Sequence, residues 1–167
     1  MKFFSANIED LRTLYKESLQ KALDMEQKIV KALPTMIEKS NDPDLASAFR
    51  THLEQTKGHV TKVESILRKN TGEASTTTCK AISSLITEAE DNIKDAKDAS
   101  IRDVSLIASG QQVEHHEMAV YGTLRTWAET MGHTGDVPIL ESILKEEKAA
   151  DEKLTRIASE ANARAAA

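Results

Sequence analysis

A chain of 167 residues with 40% hydrophobic residues can bury the core of one domain and is too short for two comfortable ones, so residues 1–167 are read as a single domain. A net charge of -5, a pI near 5.6 and no block of five or more basic residues argue against a nucleic-acid or anionic-membrane surface. The lone Cys79 cannot form an internal disulfide, and no secretory h-region or bilayer-length apolar run is present, so the cytoplasm is the expected location.

Six Gly, three Pro and 4% aromatic residues, against abundant Ala, Leu, Glu and Lys, predict an all-α protein. Asn7 reads as an N-cap with Glu9 and Asp10 in the first turn of a helix whose apolar spacing runs from Ile8 to Ile37. Pro34 lies inside that helix and predicts a kink or shift near residues 30 to 34. Ser40-Asn41-Asp42-Pro43 supplies a break, a cap and a Pro at the first position of a second helix, about 43 to 69. The polar stretch Asn70 to Thr78 reads as a linker, followed by a shorter helix from about Lys80 to Lys97. Ser100 with Asp103 reads as a capping box for a helix reaching about Met131. Gly132, Gly135, Asp136 and Pro138 mark the last turn, a final helix spans about 138 to 161, and ARAAA reads as a frayed tail. Two antiparallel hairpins are thus joined by a connection holding its own helix. That is the ferritin-like order of four main helices, and an ordinary five-helix bundle fits the same pattern.

Each long helix carries acids or histidines where its apolar stripe should be unbroken. Tyr15, Leu19, Ala22, Glu26, Ile29 and Leu33 share one face of the first helix by steps of three and four. The second reads Leu45, Phe49, His52, Thr56, His59 or Val60, Val63 and Leu67. The fourth places Glu114 and Glu117 inward or nearly so, and the fifth puts Glu147 and Asp151 on one face at i, i+4 spacing. Tyr121, one turn from Glu117, is a candidate hydrogen-bond donor to it. His115, His116 and His133 read as surface or loop residues, and Cys79 as a packing residue.

Depth along the bundle follows from a rise of about 1.5 Å per residue counted from each turn. Glu26 falls level with Thr56 to His59, and Glu117 level with Asp151, with Glu147 and Glu114 about a turn to either side. His52 sits one to two turns nearer its loop and joins the others only if Pro34 shifts the register. Carboxylates gathered with imidazoles in a desolvated core must take up protons or a cation. Carboxylate with His suits iron or manganese, and carboxylate alone suits magnesium or calcium.

The segments DLRTLYKESLQKALDMEQKIVKALPTM, AFRTHLEQTKGHVTKVE, IRDVSLIASGQQVEHHEMAVYGTL and LKEEKAADEKLT resemble the YciE/YciF family of bacterial stress proteins over nearly the whole chain. The resemblance implies a ferritin-like, rubrerythrin-related bundle, a homodimer, induced under stress. The general ferritin-like di-metal pattern has a single Glu on two helices and Glu-x-x-His on the other two. Glu26 matches one single Glu, and Glu114 or Glu117 the other. Thr56 stands where the second helix should carry its Glu, and Asp151 replaces the His expected on the last helix, four residues from Glu147.

Two functions are therefore expected in competition. In one, Glu26, His59, His52, Glu114, Glu117, Glu147 and Asp151 are the candidate ligands of one or two divalent metals, with a redox or peroxide-related role. In the other, the bundle is a non-catalytic dimeric structural or interaction protein with a degraded metal site.

Overall fold

The computed structural model describes residues 8–167, so the cap expected at Asn7 lies outside the described residues. Five helices follow in order: α1 (Leu11–Lys39), α2 (Pro43–Thr71), α3 (Lys80–Asp95), α4 (Ala99–Thr130) and α5 (Val137–Ala165). No helix among the described residues is long and apolar enough to cross a membrane.

The caps explain most of these limits. Asp10, expected in the first turn, is instead the cap: it accepts from the Thr13 amide and starts α1, while Asp42 accepts from the amides of Asp44 and Leu45 and starts α2 ahead of Pro43. Gly72 ends α2 with φ 84°, a left-handed conformation that costs Gly little. The expected capping box at Ser100 is corrected. Asp98 caps α4 by accepting from the Ser100 and Ile101 amides, and Asp103 instead turns inward with 3% exposure. α1 runs through Pro34 without a break. Pro34 is exposed, so the carbonyl that its missing N–H leaves free can face water. The tail expected to fray is also corrected. α5 continues to Ala165, Ala161 is buried, and Arg164 pairs with Asp42 at the α1–α2 turn.

α1 packs along α2 and α4 along α5, with α1 facing α4 and α2 facing α5 across the bundle. The crossover α3 lies against α1 and α4. Its start is tied to α1 by the Cys79 amide on Asp24, at 2.8 Å, and by Lys28 Nζ on Ser83 Oγ, also 2.8 Å. Gly110 lets α4 close on its neighbours: a Cβ there would lie 3.0 Å from Leu154 Cδ1 and 3.3 Å from a Phe49 ring carbon.

Buried polar contacts pin both ends of the bundle. At one end Asp103 accepts from the Asn41 and Asp42 amides at 2.7 and 3.0 Å, joining the start of α4 to the α1–α2 turn. At the other, the fully buried Asp136 accepts from Tyr15 Oη at 3.2 Å, Lys69 Nζ at 3.0 Å and Asn70 Nδ2 at 2.8 Å. The sequence marked both aspartates as local turn and cap residues. Their long-range partners could not be read from local spacing. With both ends fixed, the mid-height layer contributed by the four long helices is held in register.

Candidate metal centre

That layer is polar. Glu26, His52, Thr56, His59, Glu114, Glu117 and Glu147 are all buried, with Glu26, His59, Glu117 and Glu147 at 0% exposure. They replace residues that would each contribute about 1.5–3 kcal/mol if they were Leu or Ile. Their own desolvation adds a further cost. Such a layer destabilises the fold unless its groups are paired or bound.

Two groups of ligand atoms converge, each within 4.8 Å internally: His52 with Glu114, Glu117 and Glu147, and Glu26 with His59 and Glu147. Glu147 belongs to both. Its Oε1 lies 2.9 Å from His59 Nδ1 and its Oε2 3.9 Å from His52 Nδ1. His52 Nε2 lies 3.4 Å from Glu114 Oε1 and 4.0 Å from Glu117 Oε2, and His59 Nδ1 lies 3.6 Å from Glu26 Oε2.

The expectation that His52 joins the others only through a register shift at Pro34 is thereby corrected. His52 and His59 are two turns apart on α2 with Thr56 between them, and the Thr56 hydroxyl is used on its own helix, donating to the His52 carbonyl at 2.8 Å. Counting Cα heights ignores the reach of an imidazole and a glutamate. Glu147 spans the gap without any break in α1. Asp151 is corrected in the opposite sense. It advances about 40° around α5 from Glu147. Its side chain is 18% exposed and meets His115 Nδ1 at 3.4 Å and Gln111 Nε2 at 3.3 Å, outside both ligand groups. Tyr121 donates to Glu26 rather than to Glu117.

The sequence reading missed Glu146. Its Oε2 lies 2.6 Å from His59 Nε2, and its Oε1 accepts from Lys62 Nζ at 3.2 Å. Glu146 is off the apolar stripe and one-third exposed, so periodicity alone gives it no weight.

Burial and mutual repulsion dominate the electrostatics. Burial first, then the charge of Glu147, pushes Glu114 up to about 10 and drives Glu117 well above the usual carboxylate range. Burial also raises Glu26, although His59 opposes it. Burial draws His59 down, but the close, charged carboxylates of Glu147 and Glu26 outweigh it and leave His59 raised to about 10. His52 is lowered by burial. The metal-free cluster therefore holds protons where ligands would need to shed them.

Nine carboxylate and imidazole atoms of Glu26, His52, His59, Glu114, Glu117 and Glu147 are buried without a hydrogen-bond partner. Buried polar atoms of a folded protein are normally satisfied, so a set of orphans aimed at common points fits a cation. The donor inventory of four glutamates and two histidines equals the general di-metal set of a ferritin-like bundle, redistributed so that α2 supplies both histidines and α4 two glutamates. His52 and Glu114 also line two openings. One is an apolar slot of about 40 Å³ walled by Ile29, Leu33, Phe49, Ile86 and Val113. The other is a wider cleft of about 270 Å³ beside Thr51, Gln55 and Lys153.

Four long helices in ferritin-like order, a shorter crossover helix and a buried carboxylate–imidazole layer define a five-helix bundle with a polar centre. Residues 10–167 match the family described as a domain of unknown function, DUF892, and the chain belongs to that family. It is 33% identical to protein YciF of Escherichia coli K12 over 153 residues, 91% of this chain and 92% of that protein. The crystal structure of the E. coli stress protein YciF superposes with a TM-score of 0.87 at 32% identity, covering 92% of this chain and 97% of that one. YcfI from Rhodopseudomonas palustris superposes with a TM-score of 0.88 at 38% identity, covering 92% and 98%.

Proposed function

We propose that this member of the YciF stress-protein family binds one or two divalent cations, iron or manganese first, within the core of its bundle. The observation that carries the reading is the set of nine partnerless carboxylate and imidazole atoms at two points of convergence. Mixed oxygen and nitrogen donors favour iron or manganese over the all-oxygen sites typical of magnesium and calcium. Glu26, His59 and Glu147 would hold one cation, and His52, Glu114 and Glu117 with the shared Glu147 the other. A bound redox-active metal would supply electron-transfer or peroxide chemistry. The chain's own part is to exclude bulk water, gather the charges and leave the His52 end reachable through the slot and the cleft. The resemblance to the family adds a homodimer to this proposal.

Metal analysis of protein purified from iron- and manganese-replete cells tests it. One to two equivalents are expected in the native chain, and Glu147→Ala, which removes the shared carboxylate, should lose both. No bound metal in the native protein, or unchanged content in the variant, would sink the proposal and favour a structural bundle with a degraded site.

A further inference from the structure

The two ligand groups share Glu147 but differ in what stands behind their histidines. His59 is braced from the far side. Its Nε2 meets Glu146 Oε2 at 2.6 Å, and the other oxygen of that carboxylate is held by Lys62 Nζ at 3.2 Å. A carboxylate held by Lys is an acceptor, so Nε2 keeps its hydrogen, and Nδ1, which faces Glu26 and Glu147, is the nitrogen that would shed its proton to bind. His52 has no such brace: neither of its ring nitrogens has a hydrogen-bond partner. Its contacts to Glu114, Glu117 and Glu147 are 3.4 to 4.0 Å long, and it lines both openings.

From this contrast we infer that the two metal positions are inequivalent and fill in order. The Glu26–His59–Glu147 position is the tight one, with Glu146 as its positioning residue. The His52–Glu114–Glu117 position is the weaker, exchangeable one, where a small molecule arriving from outside would meet the metal. The inference rests on the metal-binding reading above. Its physical basis is that an outer carboxylate fixes the orientation of a ligating imidazole and raises its basicity, and losing such a partner costs about 10- to 100-fold in metal affinity. An imidazole free to rotate must be ordered at the moment of binding, which weakens its position.

Manganese(II) titration of the full chain, with free ion counted by its electron paramagnetic resonance signal, tests the order. Two separated steps are expected. Glu146→Ala should weaken the tighter step by about 10- to 100-fold and spare the weaker, and Glu146→Gln, which keeps an acceptor oxygen, should fall between. His52→Ala should abolish only the weaker step. Glu146 is one-third exposed, so its variants leave the core packing in place. With zinc(II) as a diamagnetic probe, nitrogen NMR should find His59 protonated at Nε2 and metal-bound at Nδ1. Two equal steps, a Glu146→Ala variant with native affinities, or zinc bound at Nε2 of His59 would overturn the ordering while leaving the metal reading intact. No bound manganese would overturn both.

Discussion

A buried acid has one energetic sign without a cation and the opposite sign with one. Glu117 is fully buried, its oxygens have no hydrogen-bond partner, and burial with the charges of Glu147 and Glu26 holds its proton on well above the usual range. Glu117→Gln keeps the shape and, being neutral in the unfolded chain as well, removes the cost of taking up a proton on folding. It should therefore raise the urea midpoint of metal-free protein while lowering the number of cations held. Unfolding curves and metal analysis on the same preparation check both halves. Tyr121→Phe carries the reverse expectation for the metal-free fold. It removes the donor to Glu26 at a site closed to water, which should cost about 1–3 kcal/mol in chemical denaturation. Residue types on a stripe were legible because helical periodicity is local: Glu26, His59, Glu114, Glu117 and Glu147 all fall inside. A count of residues along an axis leaves out side-chain reach, and so sets His52 apart from residues that the structure brings beside it. Asp151 lies outside both ligand groups because an advance of about 40° suffices to bring a carboxylate to the edge of a helix interface.

Element boundaries were the most legible feature of the chain. Pro43 and Gly72 bracket α2, and Pro138 falls at the start of α5, each through a backbone constraint that operates without tertiary help. What the sequence hid was the tertiary use of polar residues at those boundaries. Asp103 looked like half of a local capping box, yet its two oxygens close a turn about sixty residues away in the chain. Asp103→Ala should destabilise by about 1.5–3 kcal/mol, as expected for a lost hydrogen bond to a charged group, measured as a drop in the unfolding free energy in urea. Arg164 on Asp42 ties down a segment whose composition reads as loose, because Ala-rich sequence is also good helix sequence once its neighbour is present.

The stability of the whole molecule should depend on pH in a direction set by the cluster. In the fold Glu114 keeps its proton to about 10 against an ordinary value of 4.5, and His59 to about 10 against 6.5. Folded values raised above unfolded ones mean that the native state binds more protons, so this contribution is complete below the unfolded values and is lost as pH rises toward 10. His52, lowered by burial, opposes this only near and below its ordinary value of 6.5. Metal-free protein should therefore melt at progressively lower temperature from pH 7 to pH 9. Saturating manganese should raise the melting temperature and reverse its pH trend, because the ligands must shed protons to bind. Light scattering on the same samples should report twice the chain mass of 18.4 kDa for the proposed homodimer, and a monomer would remove that part of the proposal.

The stretch from Gly72 to Cys79 divides the ligand set as well as the chain. Glu26, His52 and His59 lie before it, and Glu114, Glu117 and Glu147 after it, so neither hairpin owns a complete site. A cut in this stretch would turn each cation into a clasp between two separate peptides. A chelator would then loosen the association of the halves after proteolysis, and the centre would add a lock to the contacts that already join them.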